Sequence, residues 1–240
     1  MSSIITAHAA SRTDVGLVRR RNEDAFYQGQ WLYAIADGLG GHVAGDIAST
    51  TAINALKPYD RLVPPPELPD ALGKAVRDAN DALRRRIRDA PDLAGMGTTM
   101  VAVLRSGDTA VVANVGDSRA YLMRDFKSDH SRMVQVSEDH TYKHLVAAAN
   151  EVPDLPEKLA RFLDGRRDGR SPDLTVLQLR PGSRLLLCSD GLSSYVPHEL
   201  IRSTLNSADT PTRAVDTLVV LALAHGGRDN ITVIVVDIAD

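Results

Sequence analysis

Four aspartates stand beside an apolar run and next to a glycine, a serine or an asparagine: Asp37 in ADGLGGH, Asp117 in VGDSRAY, Asp190 in LLLCSDGLS and Asp229 in GGRDNIT. The runs Trp31 to Ala36, Thr109 to Val115 and Leu185 to Cys188 lead into the first three, and Ile231 to Val236 follows the fourth. A core strand carries a residue at its end to the rim of a sheet, where several carboxylates can converge. With neighbours about 5 Å apart at an effective dielectric of about 20, each like-charge pair costs roughly 3 kcal/mol. The six pairs approach about 20 kcal/mol, more than the roughly 5–15 kcal/mol that holds a domain together. Such a cluster must be protonated or neutralised by cations. Oxygen-only ligands suit Mg²⁺ or Mn²⁺, since thiolates and imidazoles select softer ions. One such aspartate alone reads as a turn residue; four in like settings argue for a shared site.

The elements that position these residues follow from pattern. A strand is expected around Ile4 to Ala10, then a hairpin of Ala25 to Gln28 and Trp31 to Ala36. Helices are expected at Ala44 to Lys57 and over a second stretch in which Leu68, Leu72, Val76, Ala79, Leu83 and Ile87 recur every three or four residues, a core face. Short strands follow at Thr98 to Leu104, Thr109 to Val115, Ala120 to Met123 and Met133 to Val136. Helical and irregular sequence fills His140 to Pro172. Strands resume at Leu174 to Leu179 and Arg184 to Cys188, then helices near Pro197 to Leu205 and Pro211 to Ala224, then a last strand, Ile231 to Ile238. Strands in blocks separated by helix pairs argue for an α+β fold.

The 240 residues, 43% hydrophobic and 25% charged, suit one domain spanning 1–240. A formal net charge of -3 gives no electrostatic footprint for nucleic acid. The basic clusters Arg19 to Arg21, Arg84 to Arg86 and Arg166 with Arg167 are short and scattered. Cys188 is the only cysteine, which excludes an intrachain disulfide and points to the cytoplasm. No signal peptide is recognisable, and the longest apolar run, Leu218 to Ala224, is too short to span a bilayer.

The ordered motifs VGLVRRRNEDAF, ADGLGGH, GTTMVAV, VANVGDSRAY, LLLCSDGL and GGRDNITVIVV resemble the metal-dependent serine/threonine protein phosphatases of the PPM (PP2C-like) type, in compact bacterial form. The resemblance runs from Thr13 to Asp237. It implies a four-layer α-β-β-α sandwich, two central antiparallel sheets flanked by helix pairs, with a metal centre at one end. By that similarity Asp37 bridges two Mn²⁺ or Mg²⁺ ions, Gly38 adds its carbonyl, Asp190 and Asp229 hold the first ion, and Glu23 or Asp24 approaches the second. Asp117 and Asp190 would hold a third. Arg19 would bind the substrate phosphate, and hydroxide between the metals would attack it. The implied substrates are phosphorylated proteins, possibly those of a Ser/Thr kinase, and the expected state is a monomer.

Two departures stand out. Leu39 stands where many eukaryotic relatives carry a histidine after the DG pair, leaving His42 or metal-bound water as proton donor to the leaving group. The flap-like segment at about 141–173, with PEKLARFLDGRRDGRSPD, does not match the family; its Arg161, Arg166, Arg167 and Arg170 reach either substrate or solvent. These departures motivate a second expectation, a phosphoprotein-binding regulatory module with little turnover, which the intact acidic ligands oppose. A two-metal phosphodiesterase or nuclease would want a basic groove that the charge balance does not suggest.

Overall fold

The computed structural model describes residues 5–39, 44–128, 130–142, 158–167 and 171–240. Among these, the strands are β1 (Thr6–Asp14), β2 (Ala25–Gln28), β3 (Leu32–Ala36), β4 (Gly38–Leu39), β5 (Gly97–Thr98), β6 (Met100–Ser106), β7 (Thr109–Val115), β8 (Arg119–Arg124), β9 (Arg132–Gln135), β10 (Asp173–Gln178), β11 (Arg184–Cys188) and β12 (Ile231–Ala239). The helices are α1 (Gly45–Leu56), α2 (Leu68–Asp89), α3 (Asp190–Ser193), α4 (His198–Ser207) and α5 (Pro211–Ala224). Two five-stranded antiparallel sheets, ordered β1-β12-β11-β8-β9 and β10-β7-β6-β3-β2, face each other, and β4 pairs with β5.

Three apolar layers hold these pieces together. α1 and α2 cover the outer face of the second sheet, α4 and α5 cover that of the first, and a third core lies between the sheets. The expected four-layer α+β sandwich is the one observed. β12 shows why its strands read as unbroken apolar runs: Ile231, Val233 and Val235 face the helices while Ile234, Val236 and Ile238 face the other sheet. A strand buried on both faces has no solvent side to make polar. The α2 stripe behaves as expected, with Leu68, Leu72, Val76, Ala79 and Leu83 fully buried. α5 starts on Pro211, and the Thr210 hydroxyl accepts the Arg213 N–H at 3.2 Å, satisfying one of the donors a helix start leaves open.

Strand direction then gathers the motifs. β3 and β7 both run antiparallel to β6, so their C-terminal ends share a rim. The end of β11 meets the start of β12, and the end of β1 lies opposite Ile231. The start of β2 faces the end of β3. Asp37, Asp117, Asp190, Asp229, Glu23 and Arg19 all leave strands at this one end of the sandwich.

Differences from the pattern have local causes. The strand expected from Thr98 is split at Thr99, because Thr98 pairs with Gly38 while Met100 pairs with Val115. Asp190, expected at a strand end, begins the single turn of α3. Two side chains serve as internal struts. Asp60 accepts the N–H groups of Gln30, Trp31 and Leu32 at 3.1, 2.7 and 3.0 Å and the Tyr27 hydroxyl at 3.0 Å, tying the connection after α1 to the β2–β3 turn. Arg184 is wholly buried; its Nε and Nη2 donate to Asp237 at 2.5 and 2.8 Å, and its Nη1 donates to the carbonyls of Leu205 and Ala208 at the end of α4.

Candidate metal centre

The rim opens as a cleft of about 630 Å³ whose wall carries Glu23, Asp37, Asp117, Asp190 and Asp229. Arg19 stands at its mouth with Arg20 and Arg21, and Leu39 and Leu159 supply what apolar surface there is. Leu39, directly after the Asp37–Gly38 pair, thus lines the cleft. His42 lies outside the described residues.

Burial and mutual repulsion act on these carboxyls in the same direction. Burial raises the Asp37 carboxyl well above its ordinary range, and Asp24, Asp190, Asp117 and Asp229 add repulsion. Burial likewise lifts Asp117 to about 7 and, with Asp229 alongside, Asp190 to about 6. The Asp190 and Asp37 carboxyls lie close enough that the charge on one bears on the protonation of the other. Arg19 donates from Nη2 to Asp229 Oδ2 at 2.7 Å, a pairing that raises the guanidinium pKa. At the mouth, then, Arg19 is held by a carboxylate of the same cleft.

The pair Glu23 and Asp24 separates. Glu23 faces the cleft. Asp24 sits behind it, where its Oδ2 accepts the Ser189 hydroxyl at 2.8 Å and the Thr232 hydroxyl at 2.6 Å. Burial raises Asp24 to about 7 against those two hydrogen bonds. Gly38 is needed for approach: a Cβ there would lie 2.2 Å from the Gly45 carbonyl oxygen and 2.6 Å from that of Glu23, so a side chain would push α1 and the Glu23 loop away from the carboxylates.

Asn230 is the residue that the sequence reading missed. Its side chain accepts the Glu23 N–H at 2.8 Å and donates to the carbonyls of Val15 and Arg21 at 3.0 and 2.9 Å. Three hydrogen bonds from one amide thereby fix the loop that carries Arg19 and Glu23. The available signal was its place directly after Asp229 in RDN. Of the flap arginines, Arg161 turns to Asp173 and Arg166 to Asp164, so both have carboxylate partners. Residues 143–157 and 168–170, with Arg170, lie outside the described residues.

The donor set fits hard divalent cations. Among the described residues, every ionisable ligand candidate on the cleft wall is a carboxylate, and Asp190 Oδ1 and, behind the wall, Asp24 Oδ1 are buried without a hydrogen-bond partner. Buried acceptors without partners are costly, and a cation satisfies them. Among the described residues, no three His, Cys, Asp or Glu side chains meet closely enough to hold an ion as they stand. The carboxylates line a common cleft, not a single point, as mutual repulsion favours.

Comparison with known proteins agrees with this geometry. The family described as "Protein phosphatase 2C" matches residues 18–222. The chain is 40% identical over 238 residues to the serine/threonine protein phosphatase PstP of Mycobacterium tuberculosis, covering 96% of this chain and 45% of that protein. It is 35% identical to the serine/threonine phosphatase stp of Listeria innocua, covering 96% of this chain and 95% of the relative. The solved catalytic domain of PstP in complex with two manganese ions superposes with a TM-score of 0.88 at 39% identity, covering 98% of this chain and all of that one. The chain spans less than half the length of the curated PstP it matches. With a matching sandwich, a carboxylate cleft at the same rim as the motifs, and a family match over most of its length, the chain belongs to the protein phosphatase 2C family.

Proposed function

We propose that this chain is a metal-dependent protein phosphatase that hydrolyses phosphoserine and phosphothreonine monoesters. The observation that supports this best is the convergence of Glu23, Asp37, Asp117, Asp190 and Asp229 on one cleft with Arg19 at its mouth. The relatives named as serine/threonine phosphatases, one of them solved with two manganese ions, point the same way.

Asp37, Asp190 and Asp229 are proposed to hold two Mn²⁺ or Mg²⁺ ions with the Gly38 carbonyl, Glu23 to serve the second, and Asp117 with Asp190 to serve a third. Such ions, when bound, supply an acidified water and positive charge for an attacked phosphoryl group. The chain itself supplies the rest. Arg19 offers planar, two-pronged donors to the phosphate oxygens. Its bond to Asp229 holds the guanidinium at the mouth before substrate arrives, which reduces the ordering cost of binding. Asn230 fixes the loop backbone on which Arg19 and Glu23 ride, and Leu39 and Leu159 give the cleft its apolar lining. Leu39 carries no proton to give, so protonation of the leaving alkoxide falls to solvent or to His42.

The proposed substrates are phosphoproteins, including those of a Ser/Thr kinase, acted on by a monomer in the cytoplasm, where a free buried thiol such as Cys188 is at home. No helix of the described residues is long and apolar enough to cross a membrane. The test is hydrolysis of a phosphothreonine peptide and of p-nitrophenyl phosphate with and without Mn²⁺ and chelator. Activity should require the metal, and Asp37→Asn and Asp190→Asn should fall to near background. Full turnover in either variant would sink the proposal.

A further inference from the structure

We infer that His140 is a positioning residue for Asp117: by clamping the peptide at Gly116 it sets how the Asp117 carboxylate is presented to its ion, and Asp173 and Arg161 hold His140 in place. The inference rests on the proposed role of Asp117 as a ligand.

The imidazole of His140 is 1% exposed and faces no part of the cleft wall. Its Nδ1 lies 3.1 Å from the Gly116 backbone nitrogen. A peptide N–H can only donate, so Nδ1 accepts and the ring proton belongs on Nε2. Nε2 in turn is 2.8 Å from Asp173 Oδ2. The ring is thus oriented from both sides, by one backbone donor at Nδ1 and by the Asp173 carboxylate at Nε2, where Arg161 Nη1 also lies 3.3 Å away. Arg161 fixes the carboxylate: its Nη1 and Nη2 each reach Asp173 Oδ1 at 3.1 Å, and Nη2 also donates to the Ser171 carbonyl.

Gly116 is held on its other side as well. The His140 N–H donates to the Gly116 carbonyl at 2.9 Å, and Asn114 Nδ2 donates to the same oxygen at 3.2 Å. With φ at +119° and an added Cβ only 2.7 Å from Thr99 Cβ, this position is open to glycine alone. The next residue is Asp117, and the one after, Ser118, shares a hydroxyl hydrogen bond of 2.8 Å with Thr99, whose oxygen also accepts the Asp37 N–H. The turn that presents Asp117 is therefore gripped by Thr99 on the side of Asp37 and by His140 on the side of the flap. The His140 carbonyl accepts the Ala160 N–H at 2.8 Å, so the segment next to the cleft wall residue Leu159 is joined to the same clamp.

Two substitutions divide the ring's roles. His140→Asn keeps an amide oxygen near the Nδ1 position and loses the link to Asp173; His140→Gln keeps a donor near Nε2 and loses the acceptor for Gly116. Stepwise calorimetric Mn²⁺ titration of the wild-type chain, Asp117→Asn, both His140 variants and the half-exposed Asp173→Asn reads the outcome without activity. The wild type should show one weak event that Asp117→Asn abolishes. His140→Gln should weaken that event by about tenfold or more, the range for supporting groups around metal sites, and leave the tighter events unchanged. His140→Asn should stay within about threefold on the same scale, with Asp173→Asn between the two. In His140→Gln, raising Mn²⁺ should restore kcat. Equal affinities in all variants, or equal loss of every event in both His140 variants, would overturn the inference. If neither His140 variant folds, an Asp173→Asn event as tight as wild type overturns it. A wild-type titration with no event dependent on Asp117 would instead refute the ligand role of Asp117, and this inference with it.

Discussion

Arg184 offers a sharp test of what holds the sandwich together. It is 0% exposed, and its guanidinium gives two hydrogen bonds to Asp237 and two to carbonyls at the end of α4, while lying 4.2 Å over the Phe126 ring. Arg184→Met fills the volume but leaves the Asp237 carboxylate and both carbonyls without donors. Breaking a buried ion pair from one side costs about 3–5 kcal/mol. For a chain of this size each kcal/mol shifts the melting midpoint by about 2–4 °C, so the loss should amount to about 6–20 °C. Removing the orphaned charge as well, in Arg184→Met with Asp237→Val, should recover much of it and leave about 1–3 kcal/mol for the two carbonyls. Urea unfolding followed by circular dichroism, with both single variants completing the cycle, measures these terms. Activity per folded molecule should stay unchanged, since Arg184 starts β11 and the cleft lies beyond its other end, about 15 Å along the strand. A loss below about 1 kcal/mol in Arg184→Met, or a double variant worse than the single, would refute this account.

Arg19→Ala should lower kcat/KM for a phosphothreonine peptide by about 10–100-fold, the worth of a lost charge-assisted bond, with Arg19→Lys between the two; unchanged kinetics would remove Arg19 from phosphate binding. Asp60 yields a pH prediction. Burial pushes its carboxyl up, but the N–H groups of Trp31, Gln30 and Leu32 and the Tyr27 hydroxyl outweigh it and hold the pKa below the usual carboxylate value. A depressed folded pKa contributes stability that is fully present above the unfolded value of about 4 and is lost as pH falls through the folded one. Asp60→Ala should thus cost about 1–3 kcal/mol at pH 7, and its gap from wild type in urea midpoint should narrow below about pH 4; a gap independent of pH would contradict the charged role.

The rim aspartates were legible in the sequence because the strands beside them are buried on both faces, which turns each into an unbroken apolar run with a conspicuous end. The helices α1, α2 and α5 were legible for the complementary reason, a single buried stripe. What stayed hidden depends on partners far along the chain. Asn230 looks like a turn residue until its amide is seen to hold Val15, Arg21 and Glu23. Glu23 and Asp24 are chemically equivalent neighbours, and only the hydroxyls of Ser189 and Thr232 draw one of them behind the cleft. Arg184 carries a charge in a core strand, which no local pattern predicts, because Asp237 and the end of α4 neutralise it. The break at Thr99 is equally non-local, set by β4 on one side and β7 on the other.

The pairing of β1 with β12 has a consequence for biosynthesis. The contacts that close the cleft join opposite parts of the chain: Arg19 to Asp229 across 210 residues, and Asp24 to Thr232 across 208. Loop closure on that scale is among the slowest and last-rewarded steps of folding. A nascent chain can assemble β2, β3, β6 and β7 with α1 and α2 and still lack Asp229, Asn230 and the strand that seats them. The carboxylate cleft is therefore complete only when β12 has been synthesised and placed between β1 and β11, so any ligand that needs the whole cleft can be held only after translation has passed Asp229 and β12.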